Sequence, residues 1–145
     1  MQISARAIAL VILFAIGLAG CGGSSSGGDV TPVAANSVVV SRSSAGTVTA
    51  VANGGSRVLT LGFNSSDARP ISNLHVAGLS ALPAGWSGAA DFSCASVGSG
   101  NGCLLNLTYA PAAVAGGTFT LTYTYTSIAG NSASGSIDIA FAATV

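Results

Sequence analysis

The chain has 145 residues, a formal net charge of +0, only 6% charged side chains, and an apolar half that leans on Ala and Val; that leaves room for one domain with a modest core. Lys and Glu are absent, and after Cys21 three arginines (Arg42, Arg57, Arg69) stand against four aspartates (Asp29, Asp67, Asp91, Asp138). No basic footprint for a phosphate backbone exists, so nucleic acid is excluded as a partner, and a chain poor in helix formers other than Ala suits an extracytoplasmic β domain.

Arg6 is the only charge ahead of residues 7–20, a run of 14 residues without a charge. A bilayer core takes roughly 20 residues to span. A positive start followed by this shorter apolar run reads as a secretory signal peptide over residues 1–20, with an uncleaved membrane anchor as the alternative. The run closes on Leu18-Ala19-Gly20-Cys21, which resembles the lipobox of bacterial lipoproteins. The resemblance covers the first 21 residues. It implies cleavage between Gly20 and Cys21, a diacylglycerol on the Cys21 thiol, and a further fatty acid such as palmitate on the new amino group. Small Ala19 and Gly20 give a peptidase access to the backbone, and the thiol is the required nucleophile. One acyl chain gives marginal attachment, at about 0.8 kcal/mol per buried methylene, whereas three anchor durably. The membrane is therefore the first expected partner. Lipoproteins retained in the inner membrane commonly carry Asp after the Cys; Gly22 in that place implies the outer membrane of the bacterial cell envelope.

Residues 21–35 are mostly Gly and Ser, with Asp29, Thr31 and Pro32. Such a composition buries too little to offset its ordering entropy and predicts a flexible tether, with an end-to-end distance on the order of 20 Å. Gly23-Ser24-Ser25-Ser26-Gly27 matches the G-x-S-x-G pattern of serine hydrolases, but a nucleophile elbow needs a strand before it and a helix after it. Here a leader precedes it and a spacer follows.

From residue 36 to 145 the apolar period is two. In residues 118–126 the even positions are all Thr, while Phe119, Leu121, Tyr123 and Tyr125 fill the odd ones. Successive strand side chains point to opposite faces, so this predicts one watered Thr face and one core face. Ile137, Ile139, Phe141 and Ala143 repeat the pattern, and Gly130-Asn131 between the two stretches predicts a hairpin turn. Leu59, Leu61 and Phe63 alternate earlier, as do Leu105, Leu107 and Tyr109. Shorter candidates lie at 38–41, 47–51, 71–76 and 86–93. The only Ala-rich window, 79–92, is broken by Pro83, Gly85 and Gly88. The expectation is an all-β, antiparallel immunoglobulin-like sandwich of seven to eight strands over residues 36–145.

With Cys21 set aside, Cys94 and Cys103 remain as an even pair, which an exported chain oxidises to a disulfide. The rival metal site lacks ligands, because His75 is the only histidine and C-x8-C alone is not a zinc spacing. No metal and no cofactor are expected. The Gly-x-Gly-x-Gly of residues 98–102 lacks the strand-to-helix setting of a phosphate loop and reads as the loop between the two cysteines. Phe92-Ser93-Cys94, this Gly-rich loop, Cys103-Leu104-Leu105-Asn106-Leu107-Thr108-Tyr109-Ala110-Pro111 and Gly116-Gly117-Thr118-Phe119 together resemble bacterial immunoglobulin-like domains of the abnormal-spindle and hydin type. The resemblance covers residues 71–125. It implies a spacer or binding module without catalytic residues, usually in tandem, whereas this chain has a single copy and its own lipidation motif.

Catalysis needs a base held against a nucleophile. His75 alternates with Leu74 and Val76 and is expected on the wet face of its strand, and the four aspartates have no paired spacing for glycoside hydrolysis. Trp86, after Pro83 and Gly85, is either a core residue or an exposed anchor for a sugar or peptide. His75 and Trp86 are the candidate ligand contacts, and no catalytic residue is assigned. The expected function is that of a lipid-anchored, non-enzymatic structural or binding component of the envelope, its partner an envelope protein or a glycan. The alternative is a carbohydrate- or peptide-binding adhesin or an accessory subunit of a surface assembly.

Overall fold

A computed structural model describes residues 35–145 apart from Asn101. The expected signal peptide, the lipobox cysteine Cys21 and nearly all of the expected tether lie outside the described residues.

Among the described residues nine strands are formed: β1 (Val38–Arg42), β2 (Val48–Val51), β3 (Arg57–Ser65), β4 (Ile71–Ala77), β5 (Trp86–Gly88), β6 (Phe92–Val97), β7 (Leu104–Tyr109), β8 (Gly116–Thr126) and β9 (Ser132–Thr144), with one 3-10 turn at Leu79–Ala81. They make two sheets, in the orders β1-β3-β7-β5 and β2-β9-β8-β4-β6. The chain is an all-β sandwich. An immunoglobulin sandwich sets its strands A-B-E-D against C-F-G; β1, β3, β7 and β5 occupy the first set of places, and β4, β8 and β9 the second.

Two expectations need correction. The strand number is nine rather than seven or eight, because the stretch 86–93 divides: β5 pairs with β7 in the first sheet and β6 with β4 in the second. The sandwich is not wholly antiparallel, since β2 runs parallel to β9. A parallel pair needs a long crossover between its strands, and nearly the whole domain lies between these two. The chain also changes sheets between β1 and β2, where Gly46 takes a φ of 79°. A left-handed residue there suits glycine.

The core follows the alternation. Leu59, Leu61 and Phe63 of β3 and Leu105, Leu107 and Tyr109 of β7 are buried against Leu121, Tyr123 and Tyr125 of β8 and Ile137, Ile139, Phe141 and Ala143 of β9. Thr118, Thr120, Thr122 and Thr124 stand exposed on the outward face. On β4 the buried residues are Ile71, Leu74 and Val76, a spacing that simple alternation forbids. A bulge explains it: the β4–β8 register shifts between Ser72 and His75, and Asn73 has a φ of 54°. One extra residue turns the strand over, so apolar side chains on both sides of it reach the core.

The Cys94–Cys103 disulfide is formed, with Cα atoms 6.2 Å apart. Cys94 lies on β6 at the edge of one sheet, and Cys103 directly precedes β7 in the other, so the bond ties the two sheets together across the core. Cys103 is buried, and its carbonyl accepts a hydrogen bond from the Phe63 N–H at 3.0 Å.

Candidate functional site

The residues singled out from sequence are not brought together. Cys21 and the Gly20–Cys21 cleavage point lie outside the described residues. Trp86 opens β5 and turns inward, 7% exposed. Its ring stacks on Tyr109 at a centroid distance of 4.9 Å and meets Phe119 and Phe141 edge-on at 5.1 and 5.9 Å. Offset and edge-on aromatic pairs each contribute about 0.5–1.5 kcal/mol beyond their burial. Of the two roles open to Trp86, the structure selects the core, and a ring enclosed in this way presents no face to a sugar or peptide. Its indole N–H has no acceptor among the described residues.

His75 is on the outward face of β4, its side chain 50% exposed, with Nε2 3.0 Å from Oδ1 of Asp91. Sequence reading had no signal for this partner. Asp91 sits in the connection from β5 to β6, and only the antiparallel register that sets His75 opposite Ser93 carries Asp91 alongside. An imidazole held by a carboxylate is one half of a nucleophile-activating arrangement. Here the pair lies on an open sheet face, and no hydrogen bond joins Ser93 to His75 among the described residues. Exposed pairs of this kind contribute about 0–1 kcal/mol. Among the described residues no group of three His, Cys, Asp or Glu could hold a metal ion.

A more tightly built cluster surrounds the start of the domain. Asn36 is buried at 5% exposure. Its amide nitrogen donates to Ser65 Oγ (3.1 Å), Asp67 Oδ1 (3.1 Å) and the Arg69 carbonyl (2.8 Å), and its oxygen accepts the Ile128 N–H at 3.0 Å. One side chain thus pins the chain ahead of β1 to the β3–β4 connection and to the β8–β9 turn. Asp67 also accepts from Arg69 Nε at 2.6 Å and from Ser65 Oγ at 3.0 Å. Desolvation pushes the Asp67 carboxyl up, but the hydrogen bonds from Arg69, Asn36 and Ser65 together outweigh it and lower its pKa from 3.8 to about 2. Sequence reading passed over Asn36, because a lone Asn beside a Gly/Ser spacer looks like loop.

The outward face of the second sheet carries a shallow groove of about 480 Å³, lined by Asn73, Thr124, Thr126, Ser132 and Ser134 among others. Its walls combine short hydroxyls from β8 and β9 and the Asn73 amide at the β4 bulge with Tyr125 and Ala133. They can exchange hydrogen bonds with a polar ligand but hold no general base. Compared with known proteins, the chain matches no family model and no curated relative.

Proposed function

We propose that this is a lipid-anchored protein of the bacterial cell envelope, with Cys21 acylated, whose immunoglobulin-like domain is a non-catalytic structural or binding module of the abnormal-spindle and hydin type. The observation that carries the reading is the accounting of cysteines. The chain has three, and two of them are joined as Cys94–Cys103, which leaves Cys21, at the end of the lipobox-like tetrapeptide, outside that bond. A disulfide also belongs to an oxidising compartment, as the periplasm and the cell surface are. Fourteen residues, half of them Gly or Ser, then separate Cys21 from buried Asn36, a composition that suits a tether. Gly22 in place of Asp supports the outer membrane as the destination.

The experiment is metabolic labelling with an alkyne fatty acid, followed by membrane fractionation, of wild type and Cys21→Ala. Label on the wild type alone, with Cys21→Ala lost from the membrane fraction, is the expected outcome. Equal partitioning of both proteins overturns the anchor.

A further inference from the structure

The described residues contain three arginines and three aspartates, and all of them but Arg57 have a partner. Arg69 bonds Asp67, Arg42 donates to the Asp138 carbonyl, Thr120 donates to the Asp138 carboxylate, and His75 holds Asp91. The Arg57 side chain has no hydrogen bond or ion pair among the described residues. Its position makes this notable. It is the first residue of β3, and alternation places it on the same face as buried Leu59 and Leu61, the face turned toward the other sheet. It stands where the sandwich opens beside β2. Two depressions of about 370 and 380 Å³ meet at Arg57 and Thr49. Ser43, Ser44 and Thr47 line one beside Val48 and Val58, Ser56 and Thr144 line the other beside Ala50, Val51 and Gly55, and neither is lined by an acidic side chain.

A guanidinium presents a rigid fork of donors that matches a carboxylate in two parallel hydrogen bonds. Hydroxyls on both sides of it can donate and accept in turn, which suits the neutral hydroxyl groups of sugar rings. A peptide is the weaker fit: adding an extended strand needs a long free edge, and β2 has only four residues. We propose that Arg57 and the hydroxyls around it bind the carboxylate of an acidic glycan, with a uronate group on the guanidinium and neighbouring sugar hydroxyls in the two depressions. This deepens the reading of the domain as an envelope binding module by naming its ligand class, and it rests on that reading. The competing role for an inward charge beside a sheet edge is to discourage edge-to-edge pairing between copies.

The test uses the lipidated protein extracted from membranes in non-ionic detergent, titrated calorimetrically with a uronate oligosaccharide and with the same oligosaccharide methyl-esterified. Binding of the free acid, weakened by salt, lost on esterification, and weakened about tenfold or more in Arg57→Gln is the expected result, with Arg57→Lys between the two. Several outcomes overturn the proposal: no binding of the free acid, equal binding of the ester, or Arg57→Gln that binds as wild type. Unchanged binding together with new self-association of Arg57→Gln assigns the edge-guarding role instead. Equal competition by an acidic peptide assigns the site to peptides and also overturns it. If Arg57→Gln fails to fold, the ester comparison and Arg57→Lys still decide. Intact mass of the same preparation reports Cys21 acylation separately, so lipidated protein that ignores the glycan sinks only the ligand proposal, and unlipidated protein that binds it sinks only the anchor.

Discussion

The β8–β9 hairpin and the β4-to-β7 stretch both bury one face of their strands, but by opposite means. In the hairpin, eleven residue pairs run in unbroken register from Gly116 opposite Ala142 to Thr126 opposite Ser132. A turn over residues 127–131 closes it, with the Gly130 N–H on the Ser127 carbonyl at 2.8 Å. Everything needed is local: strict alternation, a short loop and a Gly able to take a positive φ. From β4 to β7 the strands are short, one carries a bulge, the chain crosses between sheets three times, and a disulfide spans the last crossing. Register in the hairpin is set by pattern, because a slip of one residue would move every apolar side chain into water. In the second region, tertiary contacts and a covalent bond hold what the pattern does not.

The comparison is broken most severely by removing the bond. Replacing both Cys94 and Cys103 with Ser should cost about 2–5 kcal/mol in denaturant unfolding, and hydrogen exchange should speed up in β6 while β8 and β9 stay the most protected amides. Equal loss of protection across both regions would contradict the division. The hairpin has its own weak point at Gly135, directly opposite Tyr123, where an added Cβ would collide with the Tyr123 ring. Gly135→Ala should destabilise by about 1–3 kcal/mol through displacement of that ring. A thermal melt that matches wild type would show that the ring can move aside freely.

A gentler perturbation is pH. The Asp67 carboxyl is depressed in the folded state from 3.8 to about 2, so the stabilisation it contributes is full above its unfolded value and is lost as pH falls through the folded one. Unfolding midpoints should therefore drop between about pH 4 and pH 2 in wild type, and less steeply in Asp67→Asn. The smallest effect is expected at the exposed His75–Asp91 pair. His75→Ala should shift stability by no more than about 0.5 kcal/mol, and a larger loss would mean that the pair helps to hold β6 on β4.

Legibility in the sequence followed the same division. The two faces of β8 and β9, the inward residues of β3 and β7 and the cysteine pair could all be read from alternation, turn residues and parity. The bulge at Asn73 could not, because an extra residue in a strand looks like imperfect alternation. Nor could the division of 86–93 between two sheets, since Ala89 and Ala90 carry no turn signal as strong as Gly-Asn. Of the candidate contacts, His75 was placed on the correct face, but its carboxylate partner depends on the β4–β6 register. Trp86 had two roles open to it, and only its neighbours Tyr109, Phe119 and Phe141 decided between them. Arg57 went unremarked, because a single arginine at the head of a strand gains meaning only when every other charge among the described residues is seen to be paired.

By itself, then, the sequence determined the all-β class, the faces of the long strands and the identity of the disulfide partners. The first two follow from a period of two, a local property of the chain, and the third from counting the cysteines left once Cys21 is set aside as the lipobox residue. The tertiary structure decided the parallel closure of β2 on β9, the burial of Trp86, the Asn36–Asp67 cluster that ties the start of the domain to two distant loops, and the open position of Arg57. The strand closure and the Asn36 ties join residues 29 to 93 positions apart in the chain, and all four depend on desolvation and hydrogen-bond geometry that exist only once the two sheets have packed.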